Sequence, residues 1–223
     1  MANHVQLAGI TYRVEPLARP RFDLNPDLWQ CEGSGQVEFH GTSVFIDTLP
    51  HLVETVWFKH DLAGDVYIVF DALVIPPRGE SNINLFLHAQ MINGYDVLSK
   101  AHSGDYAEYH QTCAMYIVTL TGYDPDGRRD AEGNLVTVGW SRLRKDPGFR
   151  LLSENLAAKS EVSVPYRVEV VQHQGHLLHA VNGATVHDVV DPEPLLHGKF
   201  AFRTFNTRLV CQNLEIARII SVE

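Results

Sequence analysis

The stretch VPYRVEVVQHQGHLLHAVNGATVHDVV, residues 164–190, decides the fold. Tyr166, Val168 and Val170 alternate with Arg167 and Glu169, the period-2 pattern of a half-buried strand. Gln174-Gly175 interrupts the run as a turn. Asn182-Gly183 then marks a two-residue hairpin, because Asn and Gly tolerate the positive φ that such turns need. The segment predicts a three-stranded antiparallel meander.

The same test, carried outward, finds strands at 35–46, 54–59 and 65–75, the last halted by Pro76-Pro77. Further strands are predicted at 82–90, 105–121, 136–145, 199–204 and 210–220. Helical periodicity is nearly absent, and LLSENLAAK at 151–159 is the best candidate for a short helix. The Asp-, Gly- and Arg-rich run at 123–134 reads as an exposed excursion between strands. About a dozen strands with almost no helix mean an all-β chain. A two-sheet antiparallel β-sandwich of jelly-roll type, one domain over residues 1–223, is the natural solution.

Composition narrows the function classes. The chain has 223 residues, 45% hydrophobic and 20% charged, which suits a folded domain with its own core. Lys and Arg number 18 against 27 Asp and Glu, a net charge of −9. That balance argues against nucleic acid and anionic membranes as partners. Cys31, Cys113 and Cys211 lie far apart with no CxxC pair, so free buried thiols are expected rather than disulfides or a zinc knuckle. Residues 1–16 show no apolar signal-peptide core, and no apolar run is as long as a membrane span. A soluble cytoplasmic protein is the expectation.

As a set, several segments resemble one family. They are LWQCEGSGQVEFHG (28–41), VWFKHDLAGDVYIVFDALV (56–74), HSGD (102–105) with His110, LRKDPGF (143–149), and the closing strands PYRVEVV, HLLHAVNG and KFAFRTF. Together they resemble the YesU-like family of the concanavalin A-like lectin/glucanase superfamily. The resemblance implies a jelly roll associated with carbohydrate, notably the breakdown of plant cell-wall sugars. A structural calcium near a loop is common in that superfamily, but no Asp-rich loop here marks one, and no cofactor is expected.

The stretch HSGDYAEYHQTCAMY, residues 102–116, concentrates reactive groups. Read as a strand, it puts Tyr106, Glu108 and His110 on one face, and Tyr109, Cys113 and Met115 on an apolar face. Cleaving a glycosidic bond by β-elimination needs a base, a cation to steady the enolate, and an acid for the leaving oxygen. His110 and Tyr106 fit the acid/base pair, with His102 beside them. In WSRLRK, alternation places Trp140, Arg142 and Arg144 together, and guanidiniums hold a uronate carboxylate well. Glu108, His88 and Asn84 are further expected sugar contacts on the concave face. The expected reaction is cleavage of a uronate-containing or oxidised glycoside.

Three other readings stay open. A non-catalytic, lectin-like carbohydrate-binding protein would use the same face. A glycoside hydrolase would need carboxylates roughly 5–9.5 Å apart. No compact Glu-x-Asp-x-x-Glu run supplies them, so they would come from separate strands. A sandwich edge could also pair in a homo-oligomer. The chain holds 12 histidines. His173, His176 and His179 share one hairpin and His187 the next strand, but the spacing crosses a turn. They read as a surface cluster of neutral imidazoles, and no metal site is expected.

Overall fold

The structure is a computed structural model, and it describes residues 3–22, 25–77, 79–122, 128–129, 131–132, 135–136 and 139–223. In chain order the strands are β1 (Asn3–Leu7), β2 (Ile10–Ala18), β3 (Trp29–Gly33), β4 (Gln36–His40), β5 (Ser43–Asp47), β6 (Val53–Ala63), β7 (Val66–Val74) and β8 (Asn82–Met91). The helix α1 (Tyr106–Thr112) follows. Then come β9 (Cys113–Thr121), β10 (Arg128–Arg129), β11 (Leu135–Val136), β12 (Trp140–Asp146), β13 (Arg150–Asn155), β14 (Pro165–His173), β15 (His176–Val181), β16 (Ala184–Val190), β17 (His197–Phe205) and β18 (Arg208–Val222).

Two antiparallel sheets form a sandwich. One runs β13-β12-β9-β8-β17-β6-β3. The other runs β1-β2-β18-β7-β14-β15-β16, with β5 also pairing β18 and β4 pairing β5. The 164–190 segment forms the expected meander, β14-β15-β16. Its turns have Gln174 at φ 50°, Gly175 at 87°, Asn182 at 50° and Gly183 at 78°, the conformation the turn residues announce.

The core between the sheets follows the alternation. Tyr166, Val168 and Val170 meet Phe58, Leu85, Val118 and Phe202 from the seven-stranded sheet. Fully burying one such side chain contributes about 1.5–3 kcal/mol. A second cluster, with Tyr67, Val69, Leu178 and Ile219, packs under Leu7, Tyr12 and Val14 of the N-terminal hairpin. A third, with Trp57, Phe86, Ile117 and Tyr109, lies between the seven-stranded sheet and α1.

Several sequence expectations are corrected. Residues 105–121 are not one strand, because the chain makes a helix before β9. Asp105 caps that helix, its Oδ1 accepting the Ala107 N–H at 2.9 Å. Glu108, three residues on, reaches back, and its Oε2 accepts the Ser103 N–H at 2.9 Å and the Ser103 hydroxyl at 3.0 Å. That is a variant of the capping box. Residues 151–159 hold a strand instead of a helix: β13 pairs with β12, and tertiary pairing overrides local propensity. The 123–134 run falls mostly outside the described residues.

The thiols and histidines also depart from expectation. Cys113 and Cys211 are buried, but Cys31 is exposed. The hairpin histidines are not a surface cluster. His179 and His187 are buried opposite each other on β15 and β16, ring centroids 5.5 Å apart. His187 joins Ser141 through Nε2 at 2.9 Å and Ser153 through Nδ1 at 2.9 Å, tying the two sheets together. Burial lowers the pKa of His179 to about 3 and that of His187 to about 4, so both are neutral. His173 lies 2.7 Å from Asp65 and His176 2.7 Å from Asp188, each with its own carboxylate.

Candidate functional site

The site is built on the outward face of the seven-stranded sheet. Register fixes three rows of side chains across it. The middle row runs Thr55, Arg203, Asn84, Thr119, Arg142, Glu154 over β6, β17, β8, β9, β12 and β13. The row to one side runs Trp57, Ala201, Phe86, Ile117, Arg144. The row to the other side carries Val53 and Phe205, then Asn82, Thr121 and Trp140. Helix α1 covers part of the apolar row: Tyr109 sits 5.9 Å from Trp57 and 5.5 Å from Phe86, ring to ring. The other rows stay open as a groove of about 510 Å³.

Asn82, Asn84, Thr119 and Thr121 form its polar floor. Trp140, Arg142, Arg144 and Phe149 also line it, as do Tyr106 and Arg203. His51, Glu80 and Asp105 complete the lining, with Val53 and Phe205. Strands hold the floor in place, which suits recognition better than mobile loops do.

The guanidiniums differ in their partners. Arg142 Nε donates to Glu154 Oε1 at 2.6 Å, and its Cζ lies 3.9 Å from the Trp140 ring. Arg144 Cζ lies 4.1 Å from the Phe149 ring and 5.5 Å from Trp140. Burial, then the nearby Arg142 charge, pushes Arg144 down to about 10, so it stays protonated at neutral pH. Arg203 is 3% exposed, and its Cζ lies 3.4 Å from the Tyr106 ring.

The structure gathers five of the sequence-predicted residues in the groove: Tyr106, Asn84, Trp140, Arg142 and Arg144. Four others lie elsewhere. His110 follows Tyr106 by one helical turn, so the two rings stack, 5.1 Å apart and 12° from parallel. Phe149 meets the His110 ring at 3.9 Å, and Asp146 Oδ2 holds its Nδ1 at 2.8 Å. His102 is buried, its Nδ1 3.3 Å from Glu32 Oε2. The same Glu32 oxygen accepts from Trp57 Nε1 at 2.8 Å and from the Tyr109 hydroxyl at 3.1 Å.

Glu108 faces Ser103 and Lys100 away from the groove, and the Ser103 N–H holds its carboxyl below the usual range. His88 sits at a bulge after Leu87 with φ 51°. That twist turns it from its strand neighbours toward Leu195, where Nδ1 lies 2.8 Å from the carbonyl oxygen. Burial lowers its pKa to about 4. The proposed acid/base pair therefore touches, but only Tyr106 lines the groove.

Sequence reasoning missed Arg203, Thr119 and Phe149. The signal for Arg203 was present in KFAFRTF: with Phe200 and Phe202 inward, Arg203 must point outward. Among the described residues no group of three His, Cys, Asp or Glu side chains could hold a metal ion, and no helix is long and apolar enough to cross a membrane.

Residues 53–214, which carry most of the groove, match the model of a family described as a domain of unknown function, DUF6250. The chain belongs to this family. No curated protein matches it in sequence. A solved protein of unknown function with a galectin-like fold from Bacillus subtilis aligns over 98% of this chain and 100% of its own, with 22% identity and a TM-score of 0.76. The carbohydrate-binding module CBM66 from Bacillus subtilis aligns over 84% and 93%, with 10% identity and a TM-score of 0.56. The exoplasmic/lumenal domain of VIP36 in its Ca2+/Man2-bound form aligns over 93% and 90%, with 11% identity and a TM-score of 0.65. The chain therefore has a galectin-like β-sandwich fold.

Proposed function

We propose that the chain is a lectin-like carbohydrate-binding protein that takes an oligosaccharide along the groove. The observation that carries this reading is the indole of Trp140 beside a rigid floor of Asn82, Asn84, Thr119 and Thr121. A sugar ring offers a C–H face and a rim of hydroxyls. An aromatic side chain suits the first, and convergent amides and hydroxyls suit the second. The likeness to carbohydrate-binding sandwiches supports the same reading. The elimination reading has less support, because His110 and His102 do not line the groove.

The test is a glycan array followed by titration calorimetry, with wild type and Trp140→Ala. Binding to at least one oligosaccharide series is expected, weakened tenfold or more by the substitution while the melting temperature holds. Absence of glycan binding, or binding indifferent to Trp140, would overturn the proposal. Ultraviolet absorbance of the same mixtures over long incubation reports turnover, and a rising unsaturated product would make the protein a lyase instead.

A further inference from the structure

We infer that the groove is built for an acidic sugar, and that Arg203, with Asn84 beside it and Arg144 facing it, is the carboxylate-recognising element. This rests on the carbohydrate reading above and sharpens it.

Arg203 is buried at the groove, yet among the described residues its Nε and Nη1 have no hydrogen-bond partner. Its Nη2 makes one long bond, 3.4 Å, to the Gly104 carbonyl. The next side chain in the same row, Asn84, is 1% exposed and has an unpartnered Oδ1. A buried cation without a counter-charge is costly, and folded proteins normally pair it. The Tyr106 ring compensates in part by a cation–π contact at 3.4 Å, but it leaves the donors unused. Arg144 rests on Phe149, and no hydrogen bond or ion pair holds it among the described residues. Arg142 is different, since Glu154 already satisfies it.

The spacing suits a single sugar ring. Arg203 on β17 and Arg142 on β12 share a row, with β8 and β9 between them. Three inter-strand steps separate their backbones by roughly 14 Å. The short Asn84 and Thr119 lie between them, while Arg142 itself is held outward by Glu154. Arg144 is one row away on β12. A uronate ring lying over Asn84 and Thr119 would bring its carboxylate between Arg203 and Arg144.

Tyr106, half-buried on the first turn of α1, lies over one face of the Arg203 guanidinium. That contact takes the face and leaves the in-plane N–H donors for a ligand carboxylate. Asp105 and Glu80 also line the groove, but Asp105 is held as the helix cap. In a chain of net charge −9, three arginines converging on one groove run against the overall charge.

The test compares tetragalacturonate, tetraglucuronate and tetramannuronate, each as the free acid and as the full methyl ester, together with neutral galactotetraose and mannotetraose. Calorimetry at low and physiological salt reads the affinities. At least one free acid should bind tenfold or more tightly than its ester, with the preference shrinking as salt rises. Arg203→Gln and Arg144→Gln should each remove the preference for acid over ester. Arg144 lies on the opposite wall and contributes less to the core, so its variant remains informative if Arg203→Gln fails to fold. If acids and esters bind alike, or if the preference survives in Arg144→Gln and in folded Arg203→Gln, the inference is overturned while the carbohydrate reading stands. If no glycan on the array or in this panel binds, both fall.

Discussion

The outward face of the seven-stranded sheet is two surfaces drawn on the same strands. Along β8, Asn82 and Asn84 give way to Phe86. Along β9, Thr121 and Thr119 give way to Ile117 and Met115. Along β17, Arg203 gives way to Ala201, and along β6, Thr55 gives way to Trp57. Where the residues turn apolar, α1 lies over them and the face becomes core. Where they stay polar, α1 does not lie over them, and they form the recessed floor of the groove. One helix of seven residues thus decides which part of a continuous surface is available to a ligand. The covered part contributes to stability through buried apolar area, whereas among the described residues Arg203 Nε and Nη1 and Asn84 Oδ1 in the groove have no hydrogen-bond partner.

The largest expected contrast lies in stability. Trp57→Ala, under the helix, should cost about 3–5 kcal/mol, because it leaves a cavity and removes a donor from buried Glu32. Urea denaturation reads this directly. A cost below about 1 kcal/mol would mean that α1 does not seal this part of the face.

The second prediction concerns the backing of the open part. His179 and His187 lie neutral between the sheets, with Ser141 and Ser153 of the strands β12 and β13 holding the second ring. Their folded pKa values, about 3 and about 4, lie below the unfolded value near 6.5. As pH falls through 6.5, the unfolded chain takes up protons that the folded chain refuses. Stability should therefore be full above about pH 6.5 and fall by a few kcal/mol on the way to pH 4. His179→Leu should flatten that profile, and an unchanged slope would remove the pair from the account.

The smallest effect on stability is expected from Thr119→Val on the groove floor. It keeps the shape, removes one hydroxyl and should shift stability by less than about 1 kcal/mol. Glycan affinity should nevertheless drop several-fold by calorimetry. Equal losses of stability for Thr119→Val and Trp57→Ala would erase the distinction between the two parts of the face.

Much of this was legible in the chain. Period-2 alternation and the Asn182-Gly183 turn predicted the meander, and W-S-R-L-R-K placed Trp140, Arg142 and Arg144 on one side. The helix at 106–112 was not legible from alternation alone. YAEYHQT can be read as Tyr106, Glu108 and His110 on one strand face. The overlooked signal was Asp105 followed by Glu108 at capping-box spacing, since a side chain that satisfies helix N–H groups outweighs an ambiguous apolar pattern. Once the segment is helical, the row dissolves: Tyr106 and His110 stack one turn apart, and Glu108 swings to Ser103. His88 was misplaced for a related reason. A bulge changes which face a residue occupies, and no periodic pattern announces it.

By itself, the sequence determined that the chain is a β-sandwich, because alternation and turn chemistry are local properties. It also determined that an aromatic ring and two arginines share a strand face. The tertiary structure alone decided which of the reactive residues meet. Arg203, Asn84, Thr119 and Arg142 come from four strands spread over more than a hundred residues, and only sheet register aligns them in one row. The same register put the covered and open parts of that face side by side. Register is set by pairing between distant segments, which residue order along the chain does not contain.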